Sequence, residues 1–276
     1  MKDSKIEWTN HTFNPWVGCE KVSPGCANCY AEADMDKRRG FVRWGKGQPR
    51  RRTSESNWKE PLKWNNEARG LKERPRVFCA SLADVFDLAV PDKWQDDLAN
   101  LISRTPFLDW MLLTKRPENF KRWEKLVTFS NVWLGVSVED QKRADERIPL
   151  LQMAPAKVRF LSIEPLLENI DIRKYLPHWA CQSCGEKVFS HGLDLENQLC
   201  TPGCRSKWAI ENGHPTTGQI GLVIVGGESG TKKRPFNVDW ARSLREQCKA
   251  VGTPFFMKQI DKVQEIPDDL MIREMI

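Results

Sequence analysis

From about residue 75 the chain alternates short apolar runs with stretches whose apolar residues recur at helical spacing. The runs VFCASL at 77–82, DWMLLTK at 109–115 and NVWLGVSV at 131–138 are expected strands. So are VRFLSIEPL at 158–166, IGLVIVGGES at 220–229 and PFFMKQ at 254–259. Helices are expected over 91–105, 117–126, 139–152 and 238–252, the first with Pro91 in its opening turn. A further short strand is expected around residues 13–17. The runs are apolar throughout rather than alternating, the pattern of strands buried on both faces of a parallel sheet. The expected fold is α/β, a full or partial (β/α) TIM-like barrel, with a doubly wound open sheet as the alternative.

Polar residues gather at the carboxyl ends of these strands: Ser81 and Asp84, then Thr114, Lys115 and Arg116, then Ser137 and Glu139. Ser162 and Glu164 follow, then Gly226, Gly227, Glu228 and Ser229, and finally Lys258 and Gln259. Barrel enzymes build their catalytic face at these ends. Glu139 and Asp140 have a second reading as helix caps or first-turn acids.

Residues 177–216 interrupt the pattern and divide the chain into a barrel, 1–176 with 217–276, and an insertion. In the insertion Cys181, Cys184, Cys200 and Cys204 are spaced C-x2-C-x15-C-x3-C, close to the spacing of a zinc ribbon. Four thiolates closing on zinc would supply folding energy that so few apolar residues cannot. A second iron–sulfur cluster is the competing reading. His178, His191 and His214 read as surface histidines.

Near the N-terminus the run GCEKVSPGCANCYAE places Cys19, Cys26 and Cys29 in a C-x6-C-x2-C spacing. Three close thiolates without a fourth point to an iron–sulfur cluster with one iron left open. A structural zinc would need another ligand, and His11 is the only histidine near in sequence.

The chain has 276 residues, 40% of them apolar, enough for a sizeable core. It has no apolar run of about 18 residues, so no membrane span is expected. The start MKDSKIEWTNHTF has no apolar stretch of a secretory signal, and nine cysteines without one point to a reducing compartment, the cytoplasm. Cys79 and Cys248 stand alone and read as small buried residues. Net charge is +6, and the segment 37–52 carries eight Lys or Arg and no acid, with Phe41 and Trp44 interleaved. Such a stretch suits a phosphate backbone with rings for stacking on bases; the plainer reading is a solvated basic loop. Its candidate nucleic-acid contacts are Arg38, Arg39, Arg43, Trp44, Arg50, Arg51 and Arg52. Among twelve tryptophans, Trp8, Trp16, Trp58 and Trp64 fall in the N-terminal region, to pack loops on the core or line a cavity.

The opening IEWTNHTFNPWVGCEKVSPGCANCYAE resembles a phage-associated three-cysteine-motif family, as do SLADVF, LLTKRPENF, NVWLGVSVEDQKRADERIPLL, VRFLSIEPLL, VIVGGESG and PFFMKQ. That family is similar to the radical S-adenosylmethionine (SAM) enzymes. The resemblance covers nearly all of the chain outside 177–216. It implies a [4Fe–4S] cluster on Cys19, Cys26 and Cys29, whose fourth iron binds SAM, and reductive cleavage of SAM to a 5′-deoxyadenosyl radical. It further implies an electron donor such as flavodoxin or ferredoxin, and a phage-infected or prophage-bearing bacterial host. Two departures stand out: the first cysteine interval is six residues where three is common, and Asn28 replaces the usual aromatic before the last cysteine, with Tyr30 after it.

On this reading the expected catalytic residues are Glu139, Glu164, Glu228, Lys115 and Lys258. The expected cofactor-binding residues are Tyr30, Ser81, Asp84, Ser137, Ser162, Gly226 and Gly227. The expected substrate is a nucleotide or modified base in phage DNA hypermodification, the enzyme an isomerase or a base-modifying enzyme, with no membrane partner. Two other functions compete. One is a nucleic-acid-binding module with structural zinc only. The other is a metal-dependent hydrolase or nuclease using Asp84, Glu139, Glu164 and Glu228.

Overall fold

The computed structural model describes residues 1–176, 219–230 and 232–276, and between the first two only the backbone of two short strands. Cys181, Cys184, Cys200 and Cys204 lie outside the described residues, as do His178, His191 and His214.

In chain order the elements are β1 (His11–Thr12), β2 (Trp16–Val17), a helix α1 that starts at Tyr30–Glu32 and widens to a π turn over Ala33–Arg38, and β3 (Arg51–Arg52). Then come α2 (Glu55–Glu67), β4 (Arg76–Cys79), α3 (Asp92–Ser103), β5 (Asp109–Thr114) and α4 (Glu124–Thr128). They are followed by β6 (Val132–Ser137), α5 (Gln141–Met153), β7 (Val158–Ile163) and the strand pair β8 (Trp179–Ala180) and β9 (Lys187–Val188). β10 (Leu222–Gly226), α6 (Val238–Lys249) and β11 (Phe255–Gln259) complete the fold.

Seven strands form one sheet in the order β1-β4-β5-β6-β7-β10-β11, with every pairing parallel, curled into a half-barrel. Spatial order follows chain order with no reversal. A doubly wound sheet reverses at a switch point, so that alternative is set aside. All residues of β6 and β10 are buried, as the apolar runs require.

The two faces of the sheet carry different cores. Val77, Trp110, Leu112, Leu134 and Leu161 point to the helices and join the large cluster beneath α3, α5 and α6. The alternate positions Phe78, Met111, Trp133, Phe160, Ile224 and Phe256 fill the concave face, where Trp8 packs on Phe78 at 4.6 Å between ring centroids. Register sets Gly135 opposite Phe160. A Cβ at Gly135 would lie 2.4 Å from that ring, so the glycine is what admits a phenylalanine to the narrow interior.

Several boundaries differ from the sequence expectation. Of the strand expected around 13–17 only β2 forms, since Pro15 offers no N–H to a ladder, and β1 lies just before the stretch. β1 pairs with β4, while β2 turns away to pair antiparallel with β3. The helix expected over 117–126 is a 3-10 turn over Pro117–Trp123 before the short α4. Its buried residues Pro117, Phe120 and Trp123 recur every third position, which suits three residues per turn. The unforeseen α2 holds Pro61 in its interior, yet buries Trp58, Pro61, Trp64 and Asn65 along one side, with Ser54 Oγ accepting the Asn57 N–H at its start.

Candidate functional site

Period two along a strand keeps alternate residues on one face, and on the concave face their character changes along the strands. Below Met111, Trp133, Phe160 and Phe256 the interior is packed solid. Toward the carboxyl ends the same face presents Lys115, Ser137, Ser162, Glu164 and Lys258, which line a cavity of about 300 Å³.

The cysteine loop roofs this cavity. Gly18, at φ +112°, joins the loop to Ala83 through a parallel bridge, and its N–H donates to the Leu82 carbonyl at 3.1 Å. Three side chains then hold the loop by its backbone. The Gly25 N–H donates to Glu139 Oε1 at 3.3 Å, Arg116 donates to the Glu20 carbonyl at 3.1 Å, and Arg234 donates to the Pro24 carbonyl at 3.1 Å. Cys19, Cys26 and Cys29 all line the cavity, together with Asn28 and Tyr30. The Tyr30 hydroxyl donates to the Ser81 carbonyl at 2.7 Å, fastening α1 to the end of β4.

The four acids expected at the site each have a cation partner. Asp84 accepts from Arg116 at 2.9 Å, from the Thr114 hydroxyl at 2.7 Å and from the Lys115 N–H at 3.1 Å. Glu164 is bonded to Lys258. Glu228 accepts from Arg234 and from Asn28 at 3.0 Å, and Glu139 from Arg147 at 2.8 Å. Burial works against the charge on Glu228, but the Arg234 guanidinium, the Arg234 N–H and Asn28 overcome it and hold the carboxyl below its ordinary range. Lys115 differs: its ammonium donates to the Ser137 hydroxyl at 3.0 Å, a neutral partner.

Burial pushes the Cys19 thiol up to about 12, against the pull of Arg116. Cys29 is also raised by burial, with the Glu32 and Ala31 N–H groups favouring its thiolate. Metal ligation would displace these protons. Among the described residues no group of three or more His, Cys, Asp or Glu is arranged to hold a single metal ion. A [4Fe–4S] cubane does not ask for that convergence, since each of its thiolates takes a different iron. The three thiols facing one cavity fit its donor set. His11 does not serve as a fourth ligand in this cavity: its ring stacks on Trp64 at 4.6 Å in a separate hollow with Asp3 and Asn10.

Most expected site residues therefore meet, with two corrections. Glu139 is fully buried and does not line the cavity. It serves the loop backbone and Arg147, while Asp140 caps α5 by accepting the Arg143 N–H at 2.8 Å. Gly226 packs against Gln259 behind the cavity wall, and only Gly227 reaches it. A Cβ at Gly227 would stand 2.0 Å from the Ile260 carbonyl oxygen, so the backbones could not approach so closely with any other residue. Sequence reasoning gave no role to Arg147 or Arg234, and Arg234 has no motif to mark it; Trp8, expected to pack loops on the core or line a cavity, does both.

The basic segment also divides. Arg38, Arg39 and Arg43 are exposed beside Asp34 and Asp36, and half-buried Trp44 lines the cavity. Arg51 lies over Phe41 at 3.9 Å, and Arg52 over Trp58 at 3.8 Å while paired with Asp97 at 3.1 Å. Arg50 is the correction: its side chain is wholly buried and donates to Asp87 at 2.8 Å and to the Gln48 carbonyl at 2.8 Å. Its charge is spent inside the protein and is closed to a phosphate. Among the described residues no helix is long and apolar enough to cross a membrane.

No curated protein and no solved structure matches the chain. A family match spans residues 3–269, nearly the whole sequence, and by it the chain belongs to the family described as a protein of unknown function, DUF5131.

Proposed function

We propose that this protein is a radical SAM enzyme on a TIM-like half-barrel, with Cys19, Cys26 and Cys29 as ligands of a [4Fe–4S] cluster and a nucleotide or a base of DNA as substrate. One observation carries the reading: the three cysteines face a single cavity at the carboxyl edge of a parallel, chain-ordered sheet, together with most of the polar strand-end residues. When bound, the cluster and SAM would supply a carbon radical able to take hydrogen from an unactivated C–H bond.

The chain's own residues bind, orient and shield. Lys115, whose ammonium has a hydroxyl partner rather than a carboxylate, is placed to receive a carboxylate or phosphate. The Lys258–Glu164 pair and Ser162 line the cavity wall and offer donors and acceptors to a ribose or base edge. Trp8, Phe78 and Leu113 close its floor with apolar surface, which limits water around a reactive radical. Trp44 lines the cavity while Arg38, Arg39 and Arg43 stand in the neighbouring basic segment, an arrangement that suits a base entering from a charged backbone. The pairing of Asp84, Glu139, Glu164 and Glu228 with Arg116, Arg147, Lys258 and Arg234 speaks against a hydrolase that would need those carboxylates for a divalent metal. Zinc on the insertion cysteines, a flavodoxin- or ferredoxin-type electron donor, and the cytoplasm of a phage-bearing host belong to the same proposal.

The test is cleavage of SAM by anaerobically reconstituted protein under dithionite, with and without single-stranded DNA and nucleotides. Release of 5′-deoxyadenosine that depends on Cys26 is expected. A reconstituted protein that holds iron yet leaves SAM intact under every condition would overturn the enzymatic reading.

A further inference from the structure

Resting on the cluster reading above, we infer that Arg116 is a positioning residue that sets the reduction potential of the cluster through Cys19. Arg116 as a whole is 4% exposed. One terminal nitrogen, Nη1, donates to Cys19 Sγ at 3.5 Å and to Asp84 Oδ2 at 2.9 Å. The other, Nη2, donates to the Glu20 carbonyl at 3.1 Å and stands 3.9 Å from the Glu20 carboxylate. The Arg116 N–H donates to Thr114 Oγ1 at 2.9 Å, and Thr114 in turn donates to Asp84 at 2.7 Å. Strand β5 thus ends in a rigid device that directs one cation at one of the three thiols.

Among the described residues neither Cys26 nor Cys29 has a cation hydrogen-bonded to its sulfur, although the Lys115 charge acts on Cys29 from a distance. Cys26 Sγ lies 3.9 Å from the Ser23 hydroxyl, and Cys29 faces the backbone N–H groups of α1. The arrangement is therefore asymmetric and belongs to the iron that Cys19 would hold. A hydrogen bond and a buried positive charge at a ligating sulfur stabilise the more negative, reduced cluster, because charge acts strongly where water is excluded. One electron entering the oxidised cluster from a low-potential donor is thereby made easier, with no bond formed or broken at Arg116. Asp84 holds the fork and offsets part of its charge.

The experiment is a dithionite titration of the reconstituted protein followed by electron paramagnetic resonance, on wild type, Arg116→Gln, Arg116→Lys and Asp84→Asn. Arg116→Gln is expected to lower the reduced-to-oxidised ratio at fixed potential about tenfold, a downward midpoint shift of about 59 mV for a one-electron couple. Arg116→Lys is expected to recover most of that shift, and Asp84→Asn to move the midpoint upward. A loaded Arg116→Gln protein with the wild-type midpoint would overturn the inference, as would Arg116→Lys falling as far as Arg116→Gln. If Arg116→Gln does not load iron, Asp84→Asn decides: a rise supports the inference, and no change or a fall overturns it. Wild type that takes up no iron sinks the cluster reading itself, whereas loaded wild type with silent variants sinks only the role of Arg116.

Discussion

Single side chains around the cavity work mostly in pairs, and the pairing decides which of them respond to pH. Glu228 is held below its ordinary range by Arg234 and Asn28. A carboxylate whose folded-state pKa is depressed contributes stability above its unfolded pKa and loses it as the pH falls through the folded value. Wild type is therefore expected to exceed Glu228→Gln in stability at about pH 7, and the gap to close as the pH falls below the ordinary carboxylate range. Denaturant midpoints of the two proteins across that window check this, and a gap independent of pH would contradict it. Reading cavity-lining position from strand ends succeeded for Lys115, Ser162 and Lys258, which lie in phase on the concave face. It failed for Glu139 because β6 stops at Ser137. Beyond that point period two no longer fixes direction, and Arg147 on α5 draws the carboxylate out of the cavity.

Among the elements, the apolar runs made the six strands β4, β5, β6, β7, β10 and β11 legible, since a parallel strand buried on both faces has little other way to be written. Their ends were not legible, because Pro165 and the Gly226-Gly227 pair end pairing without ending the run of strand-like residues. The helix α2 was hidden by Pro61 and by the polar residues between its tryptophans. Packing on the concave face gives a sharp expectation. Gly135→Ala puts a methyl group into the Phe160 ring and should cost about 1–3 kcal/mol, the usual range for overpacking. Adding Phe160→Leu should return part of that loss in a double-mutant cycle of unfolding free energies. The Arg50–Asp87 pair ties the basic segment to the turn after β4, 37 positions away in sequence. Asp87→Ala leaves a buried guanidinium without its carboxylate and should cost about 3–5 kcal/mol. Thermal or denaturant unfolding checks it, and a loss within about 0.5 kcal/mol, as at an ordinary surface site, would contradict the pair's role.

For the whole molecule, a half-barrel with an open edge brings a cysteine loop, a polar strand-end wall and a basic segment to one place. The basic segment was legible as a charge run, but burial was not: nothing in KRRGFVRWGKGQPRRR separates Arg50 from its neighbours, since the partner that buries it lies far along the chain. If the segment tracks a phosphate backbone, Arg43→Ala should reduce the salt slope of single-stranded DNA binding by about 1. Fluorescence anisotropy at several salt concentrations measures this, and an unchanged slope would remove Arg43 from the interface. The cluster itself is the central claim. The measurement that tests it most directly is iron and sulfide analysis with a visible spectrum on anaerobically purified and reconstituted wild type beside Cys26→Ala. The account predicts a brown wild type with about four irons and four sulfides at the three-cysteine site, and a folded Cys26→Ala that has lost them. A colourless wild type holding only zinc, or a Cys26→Ala that keeps its full iron, would contradict it.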